Sequence, residues 1–283
     1  MDLTVGCKLR YTLATPTGFV FQIEAAKADG QIVGNEAMVI PGGAANAYSS
    51  VYTSPIPKTR ILRTVLGPGP VEIHYEAHVR VENSLVEPSL VQEFDFANLP
   101  MEYLEYLSPS RYCPSDTFTS FAYETFGKMQ RGHQRVTAIS EWIHNNIAYK
   151  AGSTGPNSSG AEVFHKKSGV CRDFAHLGIS LCRALSIPAR YASVYANALS
   201  PQDFHAVFQA YLSGPSGGAW YSFDPTHMSS VDAIVRIAAG RDAADVAFAW
   251  PQGEVTFEAP EVWANAPARA EAVRTLAAVG HHP

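Results

Sequence analysis

Residues Val71 to Glu82 alternate apolar and polar side chains without a break (Val71, Ile73, Tyr75, Ala77, Val79 and Val81 against Glu72, His74, Glu76, His78, Arg80 and Glu82). That is the two-residue period of a strand with one buried and one wet face. Shorter runs of β character, Leu9–Leu13, Phe19–Ile23 and Arg60–Val65, are separated by Pro41-Gly42-Gly43 and Gly67-Pro68-Gly69-Pro70. Short strands at such spacing predict an antiparallel sandwich-like β domain over residues 1–100. His74 and His78 share a face four residues apart, roughly 13 Å, too far to share one ion. They read as solvated strand residues.

The pattern changes near Asn98-Leu99-Pro100. Ser115-Asp116, after a Pro-rich turn, predicts a helix cap. Val136, Ile139, Ile143 and Ile147 then recur at helical spacing. Residues 151–160 contain no core-forming side chain and read as a connection, with a mobile lid as the alternative. Next, Cys171, Phe174, Ala175, Gly178, Cys182 and Leu185 make a single apolar stripe, so a helix begins at Cys171 after the turn Ser168-Gly169 and ends before Pro188. Strands follow at Arg190–Tyr195, Phe204–Leu212 and Trp220–Asp224, the last two joined by a hairpin loop over 213–219. The segment Glu261–Val279 carries an Ala-rich helical pattern, giving a tail over 251–283 with a short helix and packing roles only.

Composition narrows the function. The chain has 283 residues with 21 Lys and Arg against 26 Asp and Glu, a formal net charge of −5. This offers no basic footprint for nucleic acid. No apolar run reaches membrane-spanning length, and Met1–Cys7 lacks the charged and apolar regions of a secretory signal. The four cysteines (Cys7, Cys113, Cys171, Cys182) form no CxxC pair. The expectation is a cytoplasmic protein without a disulfide framework.

Cys171 is the residue on which chemistry turns. An unperturbed cysteine is only about 3% ionised at pH 7, from a pKa near 8.5. A helix start, with free N–H groups and a positive dipole end, favours the thiolate. On the helix alone, a small buried residue remains an equal reading. A thiolate needs a base, and the base needs a group to fix its tautomer. His205 and Asp224 lie on the two strands of the hairpin. If Asp224 faces Val207 across it, His205 is the diagonal neighbour at about 7–8 Å between backbones. Cys171 would then attack a carbonyl carbon, His205 would hold and return the proton, and Asp224 would orient the imidazole. The Cys171 N–H would be one oxyanion donor, with Tyr149 a candidate for the second.

Other candidates have plainer readings. His227, three residues beyond Asp224, is a rival base, disfavoured because His205 lies on the paired strand. Cys182 belongs to the core, and His176 and His165 read as surface or capping residues. Asp173, so near Cys171, must face away or pair with Arg172 or Arg183. No His or Cys pair has zinc-ligand spacing.

Gly169-Val170-Cys171-Arg172-Asp173-Phe174, Asp203-Phe204-His205-Ala206 and Phe223-Asp224-Pro225-Thr226 together resemble the transglutaminase-like superfamily, the bacterial branch of papain-type thiol enzymes. The resemblance spans about residues 160–228, and residues 1–100 resemble, more loosely, the β domain that precedes its catalytic domain. It implies an α+β protein, with a transglutaminase-like catalytic domain over 101–250 whose central helix packs on an antiparallel sheet. It also implies a triad of Cys171, His205 and Asp224 and no cofactor. The expected activity is hydrolysis of peptide or protein amides through a thioester. Amine-acceptor crosslinking and an inactive binding or scaffold protein are the alternatives. No acidic cluster resembles the calcium sites of animal transglutaminases. Where many family members carry tryptophan two residues after the histidine, this chain has Val207, leaving Phe208 or Trp220 to shield the histidine–aspartate pair.

Overall fold

The computed structural model describes residues 1–28, 30–40, 50–54, 57–266 and 277–281. Alternation over the first eighty residues becomes six strands: β1 (Asp2–Leu13), β2 (Thr17–Phe21), β3 (Gln31–Val39), β4 (Ser50–Thr53), β5 (Arg60–Leu66) and β6 (Gly69–Val81). β1 and β6 pair antiparallel along their full length, from Asp2 opposite Arg80 to Leu13 opposite Gly69. β3 adds to β6, and β2, β5 and β4 form a separate sheet. Val5, Leu9, Ile73, Tyr75, Phe19 and Phe21 are buried in a shared core, as their two-residue spacing requires.

The following elements are β7 (Ser84–Val86), α1 (Thr119–Phe126), α2 (His133–Asn146), β8 (Ala148–Tyr149), α3 (Gly160–Lys166), β9 (Ser168–Gly169) and α4 (Cys171–Ala184). After them come β10 (Ala189–Ala196), β11 (Phe204–Gly214), β12 (Gly217–Phe223), β13 (Ile234–Gly240), β14 (Ala249–Pro251), β15 (Val255–Phe257), β16 (Glu261–Asn265) and β17 (Ala278–His281). An antiparallel sheet in the order β13-β10-β11-β12-β17-β7 carries α4 on one face. The protein is α+β. β14 pairs with β2, and β15 and β16 pair with β1, so residues 249–265 return to the N-terminal sheets.

α4 is buried on every side from Asp173 to Arg183, not along one stripe. β10 and β11 cover one face while α1, α2 and α3 cover the others. Two of its buried polar side chains find backbone acceptors: Ser180 Oγ donates to the His176 carbonyl at 2.8 Å, and Arg183 donates to the carbonyls of Ala189 and Ser108. Gly178 lets the helix approach the sheet, since a Cβ there would lie 2.6 Å from the Phe208 ring.

Several local expectations are corrected. Ser115 caps no helix; it is buried and opens a short 3-10 turn, Ser115–Phe118, that runs directly into α1. The hairpin loop shrinks from 213–219 to the turn Pro215-Ser216, because pairing extends to Gly214 opposite Gly217 and Gly217 takes the positive φ of +105°. Glu261–Asn265 is a strand: Val262 and Ala264 alternate inward against β1. Ala278–His281 is also a strand, held between β12 and β7. The Ala-rich stretch 267–276 between them lies outside the described residues. His74 is half-buried rather than solvated, because β16 brings the Trp263 ring within 5.6 Å of it. Exposed His78 meets Thr4 Oγ1 at 3.0 Å through Nδ1. No helix among the described residues is long and apolar enough to cross a membrane.

Candidate active site

Cys171 is the first residue of α4. The N-cap, Val170, has no side-chain acceptor, so the helix start is secured from inside. Asp173 Oδ2 accepts the Val170 N–H at 2.9 Å, half of a capping box. Asp173 is fully buried, and its charge is met by Arg172 at 3.1 Å and by the Thr154 hydroxyl. Of the two arginines expected to neutralise it, Arg172 does so; Arg183 is engaged with backbone carbonyls. Arg172 Nη2 also donates to the Gly155 carbonyl at 2.6 Å. The 151–160 connection is thereby tied to the helix start.

His205 and Asp224 meet across β11 and β12. Phe208 opposes Phe223, and the same register carried one step further puts Val207 opposite Asp224 with His205 on the diagonal. His205 Nε2 donates to Asp224 Oδ2 at 2.9 Å, with side-chain exposures of 1% and 2%. The remaining lone pairs of Asp224 accept from Thr226 N at 3.0 Å, Thr226 Oγ1 at 2.7 Å and Ser229 N at 3.0 Å. Thr226 and Ser229 carried no role in the sequence reading. The signal for Thr226 was present: a hydroxyl two residues after an aspartate in Asp-Pro-Thr favours a local turn onto the carboxylate.

The missing tryptophan leaves the pair no wetter. Shielding comes from neither Phe208, which stacks on Phe223, nor Trp220, which lies under Arg190 at 4.0 Å and beside Tyr106. It comes from the 225–230 turn, and Val207 packs with Ala192, Val194, Leu199 and Met228.

Burial works against an imidazolium at His205, but the charge and hydrogen bond of Asp224, reinforced by those of Cys171, push it up to about 10. Burial likewise opposes the Asp224 carboxylate, yet His205 and Thr226 hold it below the usual range. These are two views of one ion pair, and the ring is the charged form beside Cys171. Nε2 is committed to Asp224, so Nδ1 is the nitrogen left for the sulfur.

Cys171 is half-buried, whereas Cys7, Cys113 and Cys182 are buried completely. Burial pushes the thiols of Cys7 and Cys113 up to about 12, and it raises Cys182 as well. Tyr149 lies beside Cys171, and burial first, then the charge of Cys171, pushes its phenol up to about 12. His227 stacks on His144 at 3.7 Å and approaches Glu141 at 3.4 Å, away from the sulfur's cleft. His165 is exposed at the end of α3. His176 is corrected: it is fully buried, stacked on Tyr112, and accepts the Ala243 N–H at 3.1 Å through Nε2. Desolvation lowers it to about 3, so it is a neutral core residue.

Cys171 and His205 open into a cleft of about 460 Å³, a size that admits a peptide side chain or small ligand. Its far wall, Val246 to Ala249, runs from the segment after β13 into β14. Sequence reading missed this wall because nothing in that segment marks it as chemical. Among the described residues, no cluster of three or more His, Cys, Asp or Glu is placed to hold a metal ion.

Comparison with known proteins agrees with this architecture. The family described as the transglutaminase-like superfamily matches residues 119–225. A solved structure of a candidate cysteine protease from Cytophaga hutchinsonii superposes with a TM-score of 0.89 at 33% identity, covering 99% of this chain and 96% of that one. An uncharacterised Mycobacterium leprae protein is 30% identical over 176 residues, 59% of this chain and 63% of its own length. One from Mycobacterium tuberculosis H37Rv is 32% identical over 119 residues, 38% of each chain. The matches thus span less than two thirds of these mycobacterial relatives. The fold and site define a cysteine-based enzyme class at the family level. The chain belongs to the transglutaminase-like superfamily.

Proposed function

We propose that the protein is a thiol hydrolase of peptide or protein amides, with Cys171 as nucleophile, His205 as acid and base, and Asp224 as the group that orients His205. The observation that carries this reading is the buried His205–Asp224 ion pair at 2.9 Å, whose imidazole shares a cleft with a sulfur at a helix start. A buried histidine held charged by a carboxylate is poised to stabilise a neighbouring thiolate.

In the proposed reaction the Cys171 sulfur attacks the carbonyl carbon, and the carbonyl π electrons move onto oxygen. The Cys171 N–H and the Tyr149 hydroxyl receive that oxyanion. The C–N bond breaks as His205 Nδ1–H protonates the leaving amine, giving a thioester and a neutral imidazole. Water attacks the thioester, His205 takes its proton, and the thiolate leaves with the carboxylic acid product. An amine in place of water gives a crosslink by the same sequence. Water is always present in an open cleft, so hydrolysis is the favoured outcome.

The test is turnover of a mixture of peptide amides followed by mass spectrometry, run beside incorporation of a fluorescent amine into casein. New peptide termini with the wild type and none with Cys171→Ser support hydrolysis. Amine incorporation without cleavage assigns the amine-acceptor reaction. Neither product, with an intact fold, leaves a binding protein.

A further inference from the structure

The cleft beside Cys171 has an unbalanced charge. Two ionisable side chains besides Cys171, His205 and the tyrosines line it, Arg172 and Asp203. Arg172 is committed to Asp173 at 3.1 Å and to the Gly155 carbonyl at 2.6 Å. Asp203 is exposed and accepts the Phe204 N–H at 2.7 Å, and among the described residues no cation pairs with it. Its charge reaches both sides of the site, acting on His205 and on Tyr149.

The position of Asp203 is fixed by its neighbours. Gln202 clamps the backbone of Ala264 through both side-chain ends, accepting its N–H at 2.7 Å and donating to its carbonyl at 3.4 Å. On the other side the Phe204 ring stacks on Phe248 at 5.0 Å. That stack continues into the apolar wall of Val246, Ala247 and Ala249. A carboxylate at one end of an apolar surface matches an aliphatic stem that ends in a cation.

We propose that Asp203 is a specificity residue: it selects reactants with an ammonium or guanidinium on an aliphatic chain close to the reacting carbonyl, the chain lying along the Phe204–Phe248 wall. This inference rests on the proposed thiol chemistry and adds the substrate class. The cation belongs either to the amide substrate or to an accepting amine, and both present the same chemistry to Asp203.

The first experiment needs no substrate. Methanethiosulfonates of similar size, cationic (aminoethyl), anionic (sulfonatoethyl) and neutral (methyl), are reacted with the whole protein at low salt, and the rate at Cys171 is read by mass spectrometry. Normalised to the neutral reagent, the cation-to-anion rate ratio falls by about five-fold in Asp203→Asn, as expected for one nearby charge at a surface-like dielectric. Asp203→Glu keeps the ratio. An unchanged ratio in Asp203→Asn overturns the proposal while leaving the nucleophile intact. Failure of every reagent to prefer Cys171 over the other cysteines removes the thiol reading and this inference together.

A second experiment separates the sources. Lysyl peptide amides against their norleucyl isosteres report a substrate-borne cation, and cadaverine against pentylamine reports an acceptor-borne one. The preference that collapses in Asp203→Asn names the source; if neither changes, the proposal is wrong.

Discussion

Replacing Asp224 by Asn changes few atoms and probes the ion pair directly. The native carboxylate accepts four hydrogen bonds: from His205 Nε2, Thr226 N, Thr226 Oγ1 and Ser229 N. An asparagine can turn its oxygen to Thr226, but its NH2 then faces two donors, the ring N–H of His205 and the Ser229 N–H. An orphaned buried N–H costs about 1–3 kcal/mol, and breaking a buried ion pair by removing one partner costs about 3–5 kcal/mol. The two overlap, so the expected loss is about 4 kcal/mol, or about 8–12 °C in melting temperature for a chain of this size. Without the carboxylate the neutral ring is no longer held with its proton on Nε2, so Nδ1 stops serving as acceptor for the sulfur's proton. Turnover should fall by about ten-thousandfold, by analogy with other nucleophile–histidine–carboxylate systems. The assays are thermal unfolding and NMR titration of the His205 ring. The wild-type ring keeps its proton towards pH 10, and in the variant, where the carboxylate no longer offsets burial, the titration falls to about 6.5 or below. A variant that melts within about one degree of wild type, with the His205 titration unmoved, would refute the reasoning.

The same pair sets a pH window for stability. His205 is raised in the folded state, so its contribution is complete below about pH 6.5 and drains as pH climbs towards about 10. Asp224 is lowered, so its contribution is present above about pH 4 and is lost as pH falls through its folded value. The stability difference between wild type and Asp224→Asn in denaturant titrations should therefore be largest between about pH 4 and 6.5; a difference that grows above that window contradicts the assignment. Gly178→Ala places a methyl 2.6 Å from the Phe208 ring and should cost about 1–3 kcal/mol, read as a lower denaturant midpoint. An unchanged midpoint would show that helix and sheet separate without strain.

Much of this architecture was legible because period reports burial. Val71–Glu82 announced β6 to within two residues, and the spacing of Val136, Ile139 and Ile143 announced α2. The hairpin allowed His205 and Asp224 to be neighbours if Asp224 faced Val207, the register that β11 and β12 take. The addition of Cys171 to them came from the resemblance of the three motifs to the transglutaminase-like superfamily. What escaped depends on partners remote in sequence. His176 looked like a helix-surface residue, but Tyr112 and Ala243 close over it from both sides. Val262 and Ala264 sat beside an Ala-rich stretch that masked a strand completed only by β1. The burial of α4 on all faces was hidden because Ser180 and Arg183 find backbone acceptors that no sequence period reveals.

The central claim, that His205 maintains Cys171 as the reactive sulfur, is tested most directly by alkylation with iodoacetamide near neutral pH and peptide mapping of all four cysteines. The account predicts fast modification confined to Cys171 in the wild type, at least about tenfold slower in His205→Ala, with Cys7, Cys113 and Cys182 protected in the folded protein. Slow, equal modification of all four, or a Cys171 rate indifferent to His205, would contradict it.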